Sequence, residues 1–228
     1  MKDLLAITAA HWGLAPPVLP LIVPGWRDSG PGHWQSLWAD RLPGVSRVVQ
    51  QDWVHPAREA WVETIAQHVR QSPLPVVIVA HSLGCIATVH LPRDVAQRVH
   101  AALLVAPADP ERRAVLHDFA PVPHARLPYR SIVVASSNDA YCPARLAGAY
   151  ARAWGSEFVR VPEAGHINVE SGHGEWPLGL ALLQTLLASQ PAEYAWNDLF
   201  VRTSRARRHN RAHELCASPA PNASLHAM

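Results

Sequence analysis

The chain has 228 residues, of which 49% are hydrophobic and 17% are charged, and its formal net charge is +2. This mixture can form a sizeable core, and it excludes a largely disordered chain, a collagen-like repeat and a coiled coil. The positive charge is local, because residues 202–228 carry five Arg and one Glu while residues 1–201 sum to −2. The body of the chain therefore lacks the charge pattern of a nucleic-acid-binding domain.

The number of cysteines and the hydropathy of the chain indicate in which cellular compartment the protein is expected. Cys85, Cys142 and Cys216 are an odd number and do not indicate a disulfide framework, which favours a cytoplasmic protein. No apolar run approaches the ~18–20 residues of a membrane span, so no membrane partner is expected. We expect three regions: an N-terminal leader at 1–17, a folded domain at 18–201 and a basic, disordered tail at 202–228.

Apolar periodicity predicts strands that alternate with helices along the folded domain. In chain order, the predicted elements are a strand at 19–23, a helix at 32–42, a strand at 45–50, a helix at 57–70, a strand at 75–80, a helix ending at about 89, strands at 101–106 and 131–136, a helix at 144–154, a strand at 158–161 and a helix at 178–188. This alternation predicts a three-layer α/β/α fold with a mostly parallel, twisted sheet.

One long connection, residues 107–130, interrupts this alternation. It contains five prolines, which exclude a long helix, and it predicts a loop with one short helix at about 111–117. Its position in the chain is where a lid could lie over a site. We therefore expect a small lid or none.

The strongest local signal is the segment Ala80-His81-Ser82-Leu83-Gly84, between a predicted strand and a predicted helix. It matches the Gly-x-Ser-x-Gly nucleophile elbow except that Ala80 replaces the first Gly. In that elbow the serine lies in a sharp turn, so the residues two before and two after it must be small. The alternative interpretation is an ordinary turn in which Ser82 caps the helix.

A nucleophilic serine needs a base and an orienting carboxylate, and in this architecture they follow in the order Ser, Asp or Glu, His. Asp139 and His166 each come just after a predicted strand, at the sheet edge where Ser82 also lies. We therefore predict Ser82 as nucleophile, Asp139 as orienting acid and His166 as base. Less favoured, as surface or structural residues, are Asp109, Asp118, Glu163, His33 and His173.

Two backbone N–H groups must stabilise the oxyanion of such a reaction. Leu83, which follows the serine, is one predicted donor. The other is Trp26 in the loop after the first strand, with Gly25 as the alternative that the sequence leaves open. Predicted substrate contacts are Gly25, His81 and Trp176. Since no residues have zinc-ligand spacing and no phosphate loop occurs, we expect no metal and no cofactor.

Taken together, these motifs resemble one family, the small serine hydrolases grouped around retinoblastoma-binding protein 9 and YdeN, within the α/β-hydrolase superfamily. The resembling segments are Pro24-Gly-Trp26, His33-Trp-Gln35, Ala80-His-Ser-Leu-Gly84, Ala135-Ser-Ser-Asn-Asp139 and Gly165-His-Ile-Asn168. The resemblance implies a compact α/β-hydrolase fold, a triad of Ser82, Asp139 and His166, and no metal or organic cofactor.

The expected function is a serine hydrolase that cleaves small carboxylic esters through an acyl-enzyme, with a small-molecule ester or amide as its partner. Three alternatives stay open. The same triad could serve an amide, aminopeptidase-like or thioester hydrolase. The fold could also be a non-catalytic binding module. Finally, the Arg-rich tail could bind nucleic acid or an acidic surface.

Overall fold

The computed structural model describes residues 18–42 and 44–187. The predicted leader at 1–17, the tail at 202–228 and Cys216 lie outside the described residues. The region boundaries expected there stay predictions. Within the described ranges, no helix is long and apolar enough to cross a membrane.

Six strands form one sheet in which every neighbouring pair is parallel. They are β1 (Leu19–Val23), β2 (Ser46–Arg47), β3 (Val76–His81), β4 (Val99–Val105), β5 (Arg130–Ser136) and β6 (Glu157–Val161). Their order across the sheet is β2-β1-β3-β4-β5-β6. The chain therefore moves outward from β1 to β2 and then reverses, and the crevice between the carboxyl ends of β1 and β3 is where such sheets bind ligands.

Helices cover both faces of the sheet, as the sequence predicted. On one face pack α2 (Arg58–Gln71), α3 (Leu83–Val89), α4 (Arg93–Ala96) and α5 (Ala144–Trp154), and on the other pack α1 (Trp34–Arg41) and α6 (Pro177–Leu187). The central strand β3 supplies both layers, because its side chains alternate: Ile78 and Ala80 join the first core and Val77 and Val79 the second.

Two local predictions differ from the structure. The strand predicted at 45–50 is only Ser46–Arg47, since its partner β1 ends at Val23, where Pro24 and Gly25 turn the chain away. The Pro-rich connection forms two short 3-10 helices, Pro110–Arg112 and Ala114–Phe119, in place of one α-helix. Pro110 starts the first piece, where its missing N–H breaks no helical hydrogen bond, and the extended backbone of Arg113 separates the two pieces.

Candidate active site

Ser82 lies in a sharp turn between β3 and α3. Its backbone has φ 53° and ψ −122°, a conformation that residues with a Cβ rarely adopt. The turn is held by the Ser82 N–H, which donates to the Val105 carbonyl at 2.9 Å. The Ser82 side chain makes no capping hydrogen bond to α3. The alternative interpretation of Ser82 as an ordinary helix cap is therefore wrong.

Small residues let the backbone pack tightly around this turn. A Cβ at Gly84 would lie 2.5 Å from the carbonyl oxygens of Val23 and Pro24, and a Cβ at Gly25 would lie 2.8 Å from the Ser82 Cβ. The loop after β1 thus contacts the turn directly. Ala80, the departure from the elbow pattern, is fully buried in β3.

A continuous hydrogen-bonded path joins Ser82, His166 and Asp139. The Ser82 Oγ lies 2.9 Å from His166 Nε2, and His166 Nδ1 lies 2.8 Å from Asp139 Oδ2 and 3.0 Å from Oδ1. Because a carboxylate only accepts, the neutral imidazole carries its proton on Nδ1, which leaves Nε2 to accept the serine proton. The Asp139 side chain is only 2% exposed, so water does not compete for His166.

Hydrogen bonds between two loops hold Asp139 and His166 in register. The Ser136 hydroxyl donates to Asn138 Oδ1 at 2.7 Å and accepts from the Ala164 N–H at 2.9 Å. Asn138 Oδ1 also accepts from the Gly165 N–H at 2.8 Å. These bonds link the loop after β5 to the loop after β6. Sequence reasoning did not assign Ser136 and Asn138 this role, although both belong to the segment that resembles the family.

Two buried histidines lie near His166, the predicted base: His81 packs against His166, and His33 packs against His81. The His81 ring lies 4.8 Å from the His166 ring, and His81 Nε2 donates to the His166 carbonyl at 2.9 Å. Burial lowers the pKa of His81 well below 6.5, with a further contribution from His166. Burial, and then the charges of His166 and Arg47, lower the pKa of His33 to about 4. Both rings are thus neutral near pH 7, and His81 orients His166 without competing for protons.

The two predicted oxyanion donors adjoin the serine. Leu83 directly follows Ser82, and Trp26 directly follows Gly25, whose backbone abuts the Ser82 side chain. Within residues 18–42 and 44–187, neither the Leu83 nor the Trp26 backbone N–H has a hydrogen-bond acceptor. Both groups are therefore available to a substrate oxygen.

Ser82 and His166 open into a cleft of about 930 Å³, formed by the loops that follow β1, β3, β4, β5 and β6. Gly25 and His81, two of the predicted substrate contacts, line it together with Trp26. The Pro-rich connection supplies one wall, so it borders the site rather than covering it. Among the described residues, no group of three His, Cys, Asp or Glu side chains could hold a metal ion.

Trp176, a predicted substrate contact, does not line this cleft. Its ring packs 4.9 Å from the Trp34 ring and 6.2 Å from the Trp38 ring, in the core between α1 and α6. That prediction is corrected: apolar packing takes Trp176 away from the sheet edge. Glu163, one of the alternative carboxylates, is exposed and also lies outside the cleft lining.

Sequence reasoning missed several cleft residues, and three of them, Arg27, Arg113 and Tyr141, bear on the chemistry of the site. The Tyr141 ring lies 4.3 Å from the His166 ring, and the Tyr141 N–H donates to Asp139 Oδ1 at 2.8 Å. Its position two residues after Asp139 was a usable signal. The two arginines lie in irregular loops, where no periodicity indicates which way a side chain turns.

Comparison with known proteins adds to this geometry. The sequence profile of a family described as "Serine hydrolase" matches residues 20–185. A YdeN-like hydrolase from Pectobacterium atrosepticum is 32% identical, with 80% of this chain and 96% of that chain covered and a TM-score of 0.70. A search of curated protein sequences gives no match.

Two more distant solved structures share the fold. The ydeN gene product of B. subtilis is 20% identical over 75% of this chain and 99% of that chain, with a TM-score of 0.62. Esterase 2 of Thermogutta terrifontis is 16% identical over 76% of this chain and 84% of that chain, with a TM-score of 0.53. At these identities the likeness concerns the arrangement of the sheet and helices.

Proposed function

The chain belongs to the serine hydrolase family and has the α/β-hydrolase fold, and we propose that it cleaves small carboxylic esters through an acyl-enzyme intermediate. Ser82 is the nucleophile, His166 the general base and Asp139 the residue that orients it. The observation that carries the proposal is the hydrogen-bonded path from Ser82 Oγ to Asp139, which begins at the floor of an open cleft.

Acylation begins when Ser82 Oγ attacks the ester carbonyl carbon and its proton passes to His166 Nε2. The Leu83 and Trp26 backbone N–H groups donate to the oxyanion that forms, and the Asp139 carboxylate stabilises the imidazolium. When the tetrahedral intermediate collapses, the C–O bond to the leaving alcohol breaks. His166 returns its proton to that alcohol, and the acyl group stays on Ser82.

Deacylation repeats these steps with water in place of the serine. His166 Nε2 takes a proton from a water molecule, which attacks the acyl carbon while the same N–H groups hold the oxyanion. Collapse breaks the bond to Ser82 Oγ and releases the carboxylic acid. The proton on His166 returns to Ser82, which restores the starting state.

The kinetic test is Ser82→Ala with a short-chain 4-nitrophenyl ester. We expect kcat to fall by about 10⁴-fold, because the triad residues act as a unit. Ser46→Ala, at a half-buried serine of edge strand β2 that does not line the cleft, is the matched control and should leave kcat unchanged. Wild-type-like turnover by Ser82→Ala would overturn the proposal. A higher kcat/KM on a matched anilide than on the ester would favour amide cleavage instead.

A cytoplasmic location is part of the same proposal. Cys85 and Cys142 are buried free thiols, which is typical of proteins in reducing compartments. Burial raises the pKa of both thiols, so neither is a competing nucleophile near pH 7.

A further inference from the structure

Three arginines line the cleft, and two of them have no carboxylate partner. Arg112 donates to the Ala140 carbonyl at 2.8 Å and lies 3.7 Å from Asp109 Oδ2. In contrast, Arg27 and Arg113 form no ion pair within the part of the chain that the structure describes. Two guanidinium groups in the cleft are therefore available to a ligand.

Aromatic rings hold both free guanidinium groups in place. The Arg27 Cζ lies 4.4 Å from the centre of the Trp26 ring, and the Arg113 Cζ lies 5.6 Å from the same ring and 4.8 Å from the Tyr141 ring. The Trp26 ring is fixed by its Nε1–H, which donates to the Val54 carbonyl at 2.9 Å. An arginine stacked on a ring keeps its in-plane N–H donors free, so it is preorganised for a carboxylate.

The carboxylates that line the cleft do not cancel these charges. Asp28 pairs with Arg47 at 2.6 Å, and Asp109 lies beside Arg112 and accepts the Glu111 N–H at 3.1 Å. Glu170 is exposed and has no ion-pair partner among the described residues. Among the charged groups that line the cleft, two arginines and one carboxylate are therefore unpaired, so at least one guanidinium group is available to a carboxylate on a ligand.

We infer that Arg27 and Arg113 select ester substrates that carry a carboxylate near the scissile bond. This inference rests on the proposed esterase function. The arginines lie close to the reacting atoms, because Trp26 supplies a proposed oxyanion donor and the Tyr141 ring contacts His166. Arginine binds a carboxylate through two parallel N–H···O bonds, which a neutral ester group cannot reproduce.

The test compares two pairs of esters that differ only in charge. In one pair the carboxylate is on the acyl side: mono-4-nitrophenyl adipate and its methyl ester. In the other it is on the leaving group: 4-acetoxybenzoate and its methyl ester. The readout is the ratio of kcat/KM for the anionic ester to that for the neutral ester, measured for wild type, Arg27→Gln and Arg113→Gln.

We expect the wild-type enzyme to prefer the anionic ester in at least one pair. In that pair Arg27→Gln and Arg113→Gln should each lower the ratio by about tenfold, the loss expected for a hydrogen bond to a charged group. Raising the salt concentration should lower the wild-type ratio as well. Glu170→Gln should raise it, because this change removes the opposing charge.

Arg152→Gln is the matched control. Arg152 is exposed in the last turn of α5 and does not line the cleft, so its loss should leave the ratio unchanged. Charge selection is wrong if both pairs give the same ratio in wild type, Arg27→Gln and Arg113→Gln, or if wild type prefers the neutral ester in both pairs.

The failure of charge selection and the failure of the esterase proposal are distinguishable. Absence of Ser82-dependent turnover on all four esters would overturn the esterase function. Calorimetric binding of 4-acetoxybenzoate to Ser82→Ala, with and without Arg113→Gln, tests recognition of the anion without turnover. Equal affinity in the two proteins would overturn the role of Arg113.

Discussion

At the scale of single residues, the buried Asp139 carboxylate decides the tautomer of His166. Both of its oxygens lie within 3.0 Å of His166 Nδ1, and Oδ1 also accepts the Tyr141 N–H. With this acceptor fixed, the imidazole proton lies on Nδ1, and Nε2 faces the serine with a free lone pair. In the proposed mechanism, the carboxylate thus acts through orientation and through its charge.

Asp139→Asn tests this role. An amide of the same size can present its NH₂ to Nδ1, which favours the wrong tautomer, and it lacks the charge that stabilises the imidazolium. We expect kcat on a 4-nitrophenyl ester to fall by about 10⁴-fold with little loss of stability. Asp40→Asn, at an exposed position on α1, should behave like wild type. A kcat within tenfold of wild type for Asp139→Asn would contradict this role.

Sequence could predict Ser82, Asp139 and His166 as candidates because each follows a strand and all three occur in one required order. It could not predict that Arg27 and Arg113 stack on Trp26, since their place depends on side-chain directions in irregular loops. The prediction for Trp176 was wrong for a related reason. An aromatic residue near a motif is equally compatible with the core, and packing against Trp34 decides the outcome.

At the scale of elements, the site depends on how closely α3 approaches the end of β1. Gly84 in the first turn of α3 faces the carbonyl oxygens of Val23 and Pro24, and that contact places Gly25 against Ser82. The Val23 oxygen belongs to β1 and the Pro24 oxygen to the residue that follows it, and such backbone atoms cannot move aside as the end of a flexible side chain can. The approach therefore tolerates no Cβ on this side of the helix.

Gly84→Ala tests this approach. Alanine ordinarily stabilises a helix relative to glycine by ~1 kcal/mol, but here its Cβ would overlap two carbonyl oxygens. We expect the free energy of unfolding, from urea denaturation, to fall by about 2 kcal/mol, and esterase activity to fall with it. Gly30→Ala is the control, because no atom lies within 4 Å of its added Cβ. Wild-type stability of Gly84→Ala would refute the close approach.

The longer helices and most strands were predictable to within about two residues because their apolar periodicity is strong, whereas the four-residue helix α4 (Arg93–Ala96) was not predicted. The length of edge strand β2 was not predictable, since it depends on where the chain turns away after its partner β1, at Pro24. The 3-10 helices near Pro110 were not predictable either, because the proline-rich sequence specifies breaks without specifying the geometry between them.

At the scale of the whole molecule, folding buries neutral histidines beside the cleft, which makes stability depend on pH. The pKa of His33 falls from 6.5 to about 4 on folding. Between these values the unfolded chain binds a proton that the folded protein does not, so stability falls as the pH falls through this window.

The parallel topology was predictable from the alternation of elements, whereas the strand order that creates the crevice was not.

His33→Asn tests the linkage. Asparagine can still cap α1, where His33 Nδ1 accepts the Gln35 N–H at 3.2 Å. From pH 7 to pH 4, the wild-type free energy of unfolding should fall by about 3 kcal/mol more than that of the variant. Urea denaturation at both pH values measures this difference. The control is His100→Asn, a change at an exposed histidine, whose free energy of unfolding should fall as much as that of wild type. Equal losses of this free energy in His33→Asn and in wild type would disprove the linkage.

The central claim is that Ser82 is the nucleophile, and covalent labelling by a fluorophosphonate tests it most directly. Only a serine activated by its base attacks phosphorus at a useful rate, so the wild-type protein should gain the mass of one adduct. Peptide mapping should place that adduct on Ser82, and Ser82→Ala should stay unlabelled. Labelling of a different residue, or equal labelling of Ser82→Ala, would contradict the account.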